Sequence, residues 1–349
     1  MAPSPFSRFT GDGVRALALA LSFATPALAD PVEDFYRGKT ISIYVGSGEG
    51  AGALTTYPQA LAEVITKYIP GSPNVIIRHM PGAGGFKAAM FMQSVAPQDG
   101  TAWGFITRGF VRAPLLKTVG ADFDPVKFQW IGSPSREPTV ATVWTANTKV
   151  RTLEDATREE VVYGATSLGT DTGLFPIVMN KLLGTKFKVV PGYKSSTEVD
   201  LAMQRGEAQG KIFTWGSLKS ERSLEWLTTG KVKIITQIGL DKASDMPDIP
   251  LVLDFAKAPA DRELMELIFA PVALGYPSFM GPGVPRERVM ALRAAFQKTL
   301  ADPKFIEILK NQNLALDPLS GDEVEALVKR IYAMPAATVE RAREIVPPS

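Results

Sequence analysis

The chain contains no cysteine. That absence excludes disulfides, thiolate nucleophiles, cysteine-ligated zinc, iron–sulfur clusters and a cysteine-linked lipid anchor. It has one histidine, His79. No histidine cluster can therefore hold a metal, and any Ser-His-Asp triad would have to run through that residue. Neither sign of charge is in surplus, because 38 Lys+Arg stand against 36 Asp+Glu, a net charge of +2. A protein that grips nucleic acid through phosphates carries a larger basic excess. No apolar run reaches the roughly 20 residues that cross a bilayer. The phosphate loop G-x-x-x-x-G-K-[ST] is missing too. Gly48-x-Gly50-x-x-Ala53 has the spacing of a dinucleotide fingerprint, but Arg78-His79-Met80 stands where the ribose-binding acid belongs. Neither a cofactor nor a metal is expected.

What is present is a chain of 349 residues with 45% hydrophobic content, enough for two domains of ordinary size with a sizeable core. Its first residues read as an address. Arg8 and Arg15 form a basic leader, Ala16 to Ala24 an apolar stretch, and Thr25-Pro26-Ala27-Leu28-Ala29 places small residues before a cut after Ala29. Residues 1–29 are thus predicted to be a signal peptide, and the rest an exported protein. Its compartment is oxidising, so without disulfides its core must hold it alone. Export also argues against enzymes that depend on ATP or NAD.

The remainder alternates short β-rich runs with helical ones, the pattern of an α/β protein with mostly parallel sheets. Thr40–Val45 reads as a strand and Gly46–Gly52 as a loop. A helix from about Thr56 to Ile69 follows, with Pro58 confined to its first turn. Val75–Met80, Pro81–Gly85 and a helix to about Val95 repeat the order before a strand at Thr101–Thr107. The same unit recurs as strand Glu160–Gly164, loop Ala165–Asp171, helix Thr172–Leu183, and strand Phe187–Val190 ending in Pro191-Gly192. Further on, Ser195-x-x-Glu198 and Ser320-x-x-Glu323 read as capping boxes, Ser217–Thr229 as one helix, and Pro285 and Asp302-Pro303 as helix starts. The fold class expected is two doubly wound α/β domains joined by a two-stranded hinge. The C-terminal helices, each with one narrow apolar face, should return to the first domain's sheet. The chain would then cross near 133–140 and again near 245–256. That places residues 30–135 plus 251–349 in domain 1 and 136–250 in domain 2.

In open α/β sheets ligands sit beyond the carboxyl ends of the strands, where free N–H groups of helix N-termini point. Gly46, Ser47, Gly48, Glu49 and Gly50 occupy such a loop, and its glycines allow close backbone approach. Gly84, in Pro81–Gly85, lies at a second helix entrance. Thr166, Ser167, Gly169, Thr170, Asp171 and Thr172 form a third, rich in hydroxyls that can hold carboxylate oxygens; Asp171 or Thr172 could instead cap the helix. Arg108 follows a strand and can pair with an acid, or lie on the surface. Tyr193 and Trp215 follow strand ends and can wall a pocket or sit in the core.

Several stretches resemble a known family. FYRGKTISIYVGSGEGAG, NVIIRHMPGAGGFKAAMFM, APQDGTAWGFI, YGATSLGTDTGLFPIVMNKLLG, VVPGYKSSTEVDLAMQRGE and IFAPVALGYPSFMGPGVP are similar to the periplasmic substrate-binding proteins of tripartite tricarboxylate transporters, the Bug-type receptors. The resemblance covers about residues 30–345. It implies a type II periplasmic-binding-protein clamshell, working as a monomer, that captures a small carboxylate. The clamshell would hand that ligand to the large and small subunits of an integral-membrane transporter. It implies ligand contacts in Gly46–Gly52 and Thr166–Thr172, made by backbone N–H groups, hydroxyls and water. Many members have a loop ending in Gly-x-Asp; here it carries Glu49 and then Ala53-Leu54-Thr55. Two rival readings stand beside this one. The first is a secreted hydrolase or isomerase using Ser47 or Ser167 with His79. The second is a ligand sensor for a signalling partner.

Overall fold

The computed structural model describes residues 30–346 apart from 51 and 220. The leader and its cut after Ala29 lie outside the described residues. Two sheets organise the chain. Strands β1 (Thr40–Val45), β2 (Asn74–His79), β3 (Ala102–Phe105) and β4 (Gln129–Ser133) belong to the first. Strands β5 (Thr139–Trp144), β6 (Val161–Gly164), β7 (Phe187–Val190), β8 (Gly210–Thr214) and β9 (Val232–Ile238) make the second. The chain then returns to the first sheet with β10 (Ser278–Met280) and β11 (Leu319–Ser320).

The repeated order in the sequence becomes a repeated order in space. The first sheet runs β2-β1-β3-β10-β4-β11 and the second β7-β6-β8-β5-β9. In both, the fourth strand has come directly from the other sheet. That strand is antiparallel to its two neighbours: β10 against β3 and β4, β5 against β8 and β9. The expectation of mostly parallel sheets is thereby corrected. Among the strands described, parallel pairing is confined to β2-β1-β3 and β7-β6-β8. The reason is geometric. A strand arriving from the opposite lobe enters at the carboxyl edge of the parallel strands and must run the other way. The carboxyl edges of the two sheets therefore face each other.

The early helices are α1 (Pro31–Tyr36), α2 (Ala53–Ile65), α3 (Phe86–Ser94), α4 (Asp171–Leu183) and α5 (Ser196–Arg205). Then come α6 (Trp215–Leu218), α7 (Glu221–Thr228) and α8 (Pro259–Phe269). Helix α2 begins three residues before the expected start. Pro58 is therefore mid-helix, where its missing N–H removes one bond of the ladder. The single helix expected over Ser217–Thr229 is two helices. Thr214 ends β8 and accepts a hydrogen bond from the Ser217 N–H, starting α6 early.

The C-terminal part holds α9 (Arg286–Leu300), α10 (Pro303–Asn311), α11 (Gly321–Tyr332) and α12 (Ala336–Ile345). The Ser320–Glu323 capping box forms in full, and Asp302 caps α10. Helices α9 and α11 pack on β4, and α10 packs on α2. Helix α12 departs from the expected return to the first sheet and lies against α8 and α4. Phe175 of α4 meets Phe269 of α8 edge-to-face, ring centroids 4.9 Å apart. One apolar core thus runs from Phe110, Trp130 and Phe279 of the first lobe through α8 into α4 of the second.

Candidate functional site

At the carboxyl edge of the first sheet three turns are pressed together. A Cβ on Gly46 would stand 3.1 Å from both the Gly85 Cα and Ile106 Cγ1. At Gly85, whose φ is +97°, a Cβ would come within 2.5 Å of Ile106 Cγ2. Gly46 leaves room for the neighbouring backbone and Gly85 supplies the positive φ, and glycine suits each demand. Thr107 Oγ1 donates to the Gly84 carbonyl at 3.1 Å and ties the third turn in. Gly48, Glu49 and Gly50 extend outward, exposed. Gly52 precedes α2 without any side-chain cap, and no acid occupies that helix's first turn. Its first N–H groups meet no negative side chain of their own.

His79 Nδ1 lies 3.1 Å from the Ser47 backbone carbonyl. Because the carbonyl only accepts, Nδ1 carries the proton. His79 therefore braces the loop and makes no hydrogen bond to the Ser47 hydroxyl. Ser47 Oγ is buried and has no hydrogen-bond partner. The Ser47–His79 hydrolase reading loses its geometry.

The second lobe presents a different surface. Thr166, Thr170 and Thr172 bring their Oγ1 atoms into a triangle with sides of 3.1, 3.2 and 2.8 Å. Thr170 is the N-cap of α4, with no side-chain cap bond, and Asp171 is the first helical residue. Asp171 is thus not the cap. Ser167 and Gly169 are exposed on the rim. A Cβ on Gly173 would fall 2.3 Å from the Ser167 carbonyl oxygen, so the loop folds back tightly on its helix. Tyr193 lies beside this loop, its N–H on the Ala165 carbonyl at 3.3 Å. The Trp215 Nε1–H donates to Asp245 at 2.6 Å, and Lys219 stands 5.0 Å from the ring.

Arg108 connects the two sides. It is buried at 8% exposure, so the surface alternative fails. It pairs with an acid, but one from its own chain: Nε donates to Asp171 Oδ2 at 3.2 Å. Nη1 holds the Glu137 carbonyl and Nη2 the Thr139 hydroxyl, each at 2.8 Å. Arg112, one turn further on, donates to Asp171 Oδ1 at 2.8 Å. Burial pushes the Asp171 carboxyl up, but the two guanidiniums outweigh it and hold it below the ordinary range. The sequence reading missed Arg112 and Glu137. The signal for Arg112 was present: RGFVR is a pair of arginines one turn apart in an apolar stretch. A separate concavity of about 520 Å³, at Thr145, Leu227, Val232 and Ile249, lies on the outer edge of the second sheet and contains none of these residues.

The family model described as "Tripartite tricarboxylate transporter family receptor" matches residues 60–341. The chain belongs to this receptor family. Its members are solute-binding receptors, not enzymes. Among curated proteins this receptor is similar to a UPF0065 protein from the gbd 5' region of Cupriavidus necator, at 25% identity, with 85% of each chain covered. Among solved structures it is similar to a solute-binding protein from Polaromonas. There the TM-score is 0.65 and identity 18%, covering 88% of this chain and 99% of that one. A second, from Rhodopseudomonas palustris with adipate, gives 0.61 and 18%, covering 88% and 98%. Both share the two-lobed α/β fold. Among the described residues no helix is long and apolar enough to cross a membrane, and no acidic or histidine cluster suits a metal.

Proposed function

We propose that this receptor captures a small organic acid between its lobes in the periplasm, after cleavage behind Ala29. It then delivers the acid, as a monomer, to the large and small membrane subunits of a tripartite transporter. The lobes are taken as residues 30–135 with 251–349, and 136–250. The guest contacts Gly46–Gly50 and Gly84 on one side and Thr166–Thr172 on the other, with Tyr193 and Trp215 as walls.

The carrying observation is the charge arrangement at α4. Its one acidic residue, Asp171, is answered by two buried arginines from the first lobe, so the carboxylate at this helix start is neutralised and does not repel an acid. Across the cleft, α2 opens with no side-chain cap and no acid in its first turn. Two positive helix ends and a triangle of hydroxyls suit carboxylate oxygens. The adipate-bound Rhodopseudomonas palustris protein agrees with this reading.

A thermal-shift screen tests it. Adipate and other dicarboxylates, amino acids, amines and neutral polyols are offered to the protein lacking residues 1–29. Acids should raise the melting temperature by mass action. A shift given by neutral or cationic compounds alone would overturn the reading.

A further inference from the structure

Glu137 lies in the first crossing segment, between β4 and β5, and only 5% of it is exposed. Its side chain is flanked by both lobes. From the second lobe, the Gly216 N–H donates to Oε1 at 2.9 Å, the Thr214 side chain stands by the carboxylate, and the Lys219 charge, paired with Asp245, acts on it from further off. A Cβ on Gly216 would itself stand 2.9 Å from Oε1, so the contact is close. From the first lobe come Tyr276, Tyr57 and Arg108. The two tyrosine rings lie 4.8 Å apart. Arg108 also holds the Glu137 carbonyl and Asp171, so Glu137 joins a chain of charges running Glu137, Arg108, Asp171, Arg112.

We propose that Glu137 is a positioning residue that couples closure of the lobes to the uptake of one proton, so that the receptor holds an anionic guest more tightly in acidic than in alkaline medium. Two arguments lead there. Closure sandwiches the carboxyl between Gly216 and the tyrosines and strips its water, which favours the neutral form; opening returns it to solvent. Burial already raises Glu137 above the ordinary range, against the opposing pull of Gly216, Arg108, Thr214 and Lys219. The second argument is charge. With Glu137 ionised, the chain of four holds two positive and two negative groups; with Glu137 neutral, one positive charge is left for the guest. The sign follows from linkage. A carboxyl whose value is higher in the closed state favours closure at low pH, and that contribution is lost as pH rises through the closed-state value.

The affinity half of this inference rests on the carboxylate reading above; the closure half does not. The absence of cysteine makes closure directly measurable. Lys87→Cys on α3 and Arg205→Cys on α5, both exposed, place one spin label on each lobe. The ligand-free protein should show a shorter label separation at about pH 4.5, the ordinary carboxyl value, than at about pH 9, the separation growing as pH rises because one proton governs the equilibrium. Adding Glu137→Gln, which keeps the Gly216 acceptor and mimics the protonated acid, should hold the separation short at both pH values. A separation that ignores pH, or a Glu137→Gln protein that opens like the parent, overturns the coupling. It does so even if carboxylates bind. Titration with adipate then reads the second half. Affinity should fall several-fold across that range in the parent, up to about tenfold per pH unit for one proton, and stay flat in Glu137→Gln. A failure of acids to bind would sink the receptor reading while the label separation still decides the coupling.

Discussion

In the first lobe the strand ends are roofed by backbone. Gly46 and Gly85 lie so close to each other and to the Ile106 side chain that no further side chain fits among them, and His79 clamps the Ser47 carbonyl. In the second lobe the equivalent strand end carries side chains: three threonine hydroxyls and an aspartate held by arginines of the opposite lobe. Apart from β11 at the edge of the first sheet, the strand orders match position for position, so topology does not make this difference. The comparison teaches that one topology supplies a rigid, featureless wall on one side and an adjustable, charged one on the other. The first wall tolerates almost no substitution. The second, whose hydroxyls contact mostly one another, is where we propose that acids are told apart.

The largest expected effect strikes the charged wall. Asp171→Asn leaves Arg108 and Arg112 buried without their carboxylate and should cost about 3 kcal/mol in denaturant unfolding. The pH dependence sharpens the point. Asp171 is held below its ordinary value, so its stabilisation is full above an unfolded value of about 4 and is lost as pH falls through the folded one. Parent and variant should therefore converge in stability on acidification. Persistence of the whole difference in strong acid would break the assignment.

The backbone wall comes next. Gly85→Ala meets both a positive φ and Ile106, and should lose about 2 kcal/mol. Gly50→Ala has a positive φ but nothing within 4 Å, and should lose only about 1 kcal/mol. Equal losses would mean that close contact at Gly85 plays no part. Ser47→Ala removes a buried hydroxyl that has no hydrogen-bond partner within the protein. Stability should hold or rise slightly, while affinity for the best acid in the screen falls by about 1 kcal/mol, roughly fivefold. The smallest effect belongs to Thr170→Ser. It keeps the oxygen of the triangle and should shift stability by no more than about 0.5 kcal/mol, yet it should alter the ranking of acids.

Much of this fold is written locally and so was legible. The run TISIYV, the Ser320–Glu323 capping box and the Asp302-Pro303 start each depend on neighbours a few residues away. The glycine and hydroxyl loops at the facing strand ends were legible for the same reason. What escaped depends on distant partners. No local pattern says that β5 and β10 run against their neighbours, because that follows from where the chain arrives. Arg112 and Glu137 were missed because their significance lies in Asp171 and Gly216, 59 and 79 residues away along the chain. Helix α12 has the same narrow apolar face as α9 and α11, and only the core shared by α8 and α4 draws it away from the first sheet.

Amide hydrogen exchange, with and without the acid that gives the largest thermal shift, tests the central claim most directly. If a single guest joins the two mouths, exchange should slow together at residues 46–50 and 166–172. Protection of one loop while the other keeps its ligand-free rate would contradict it.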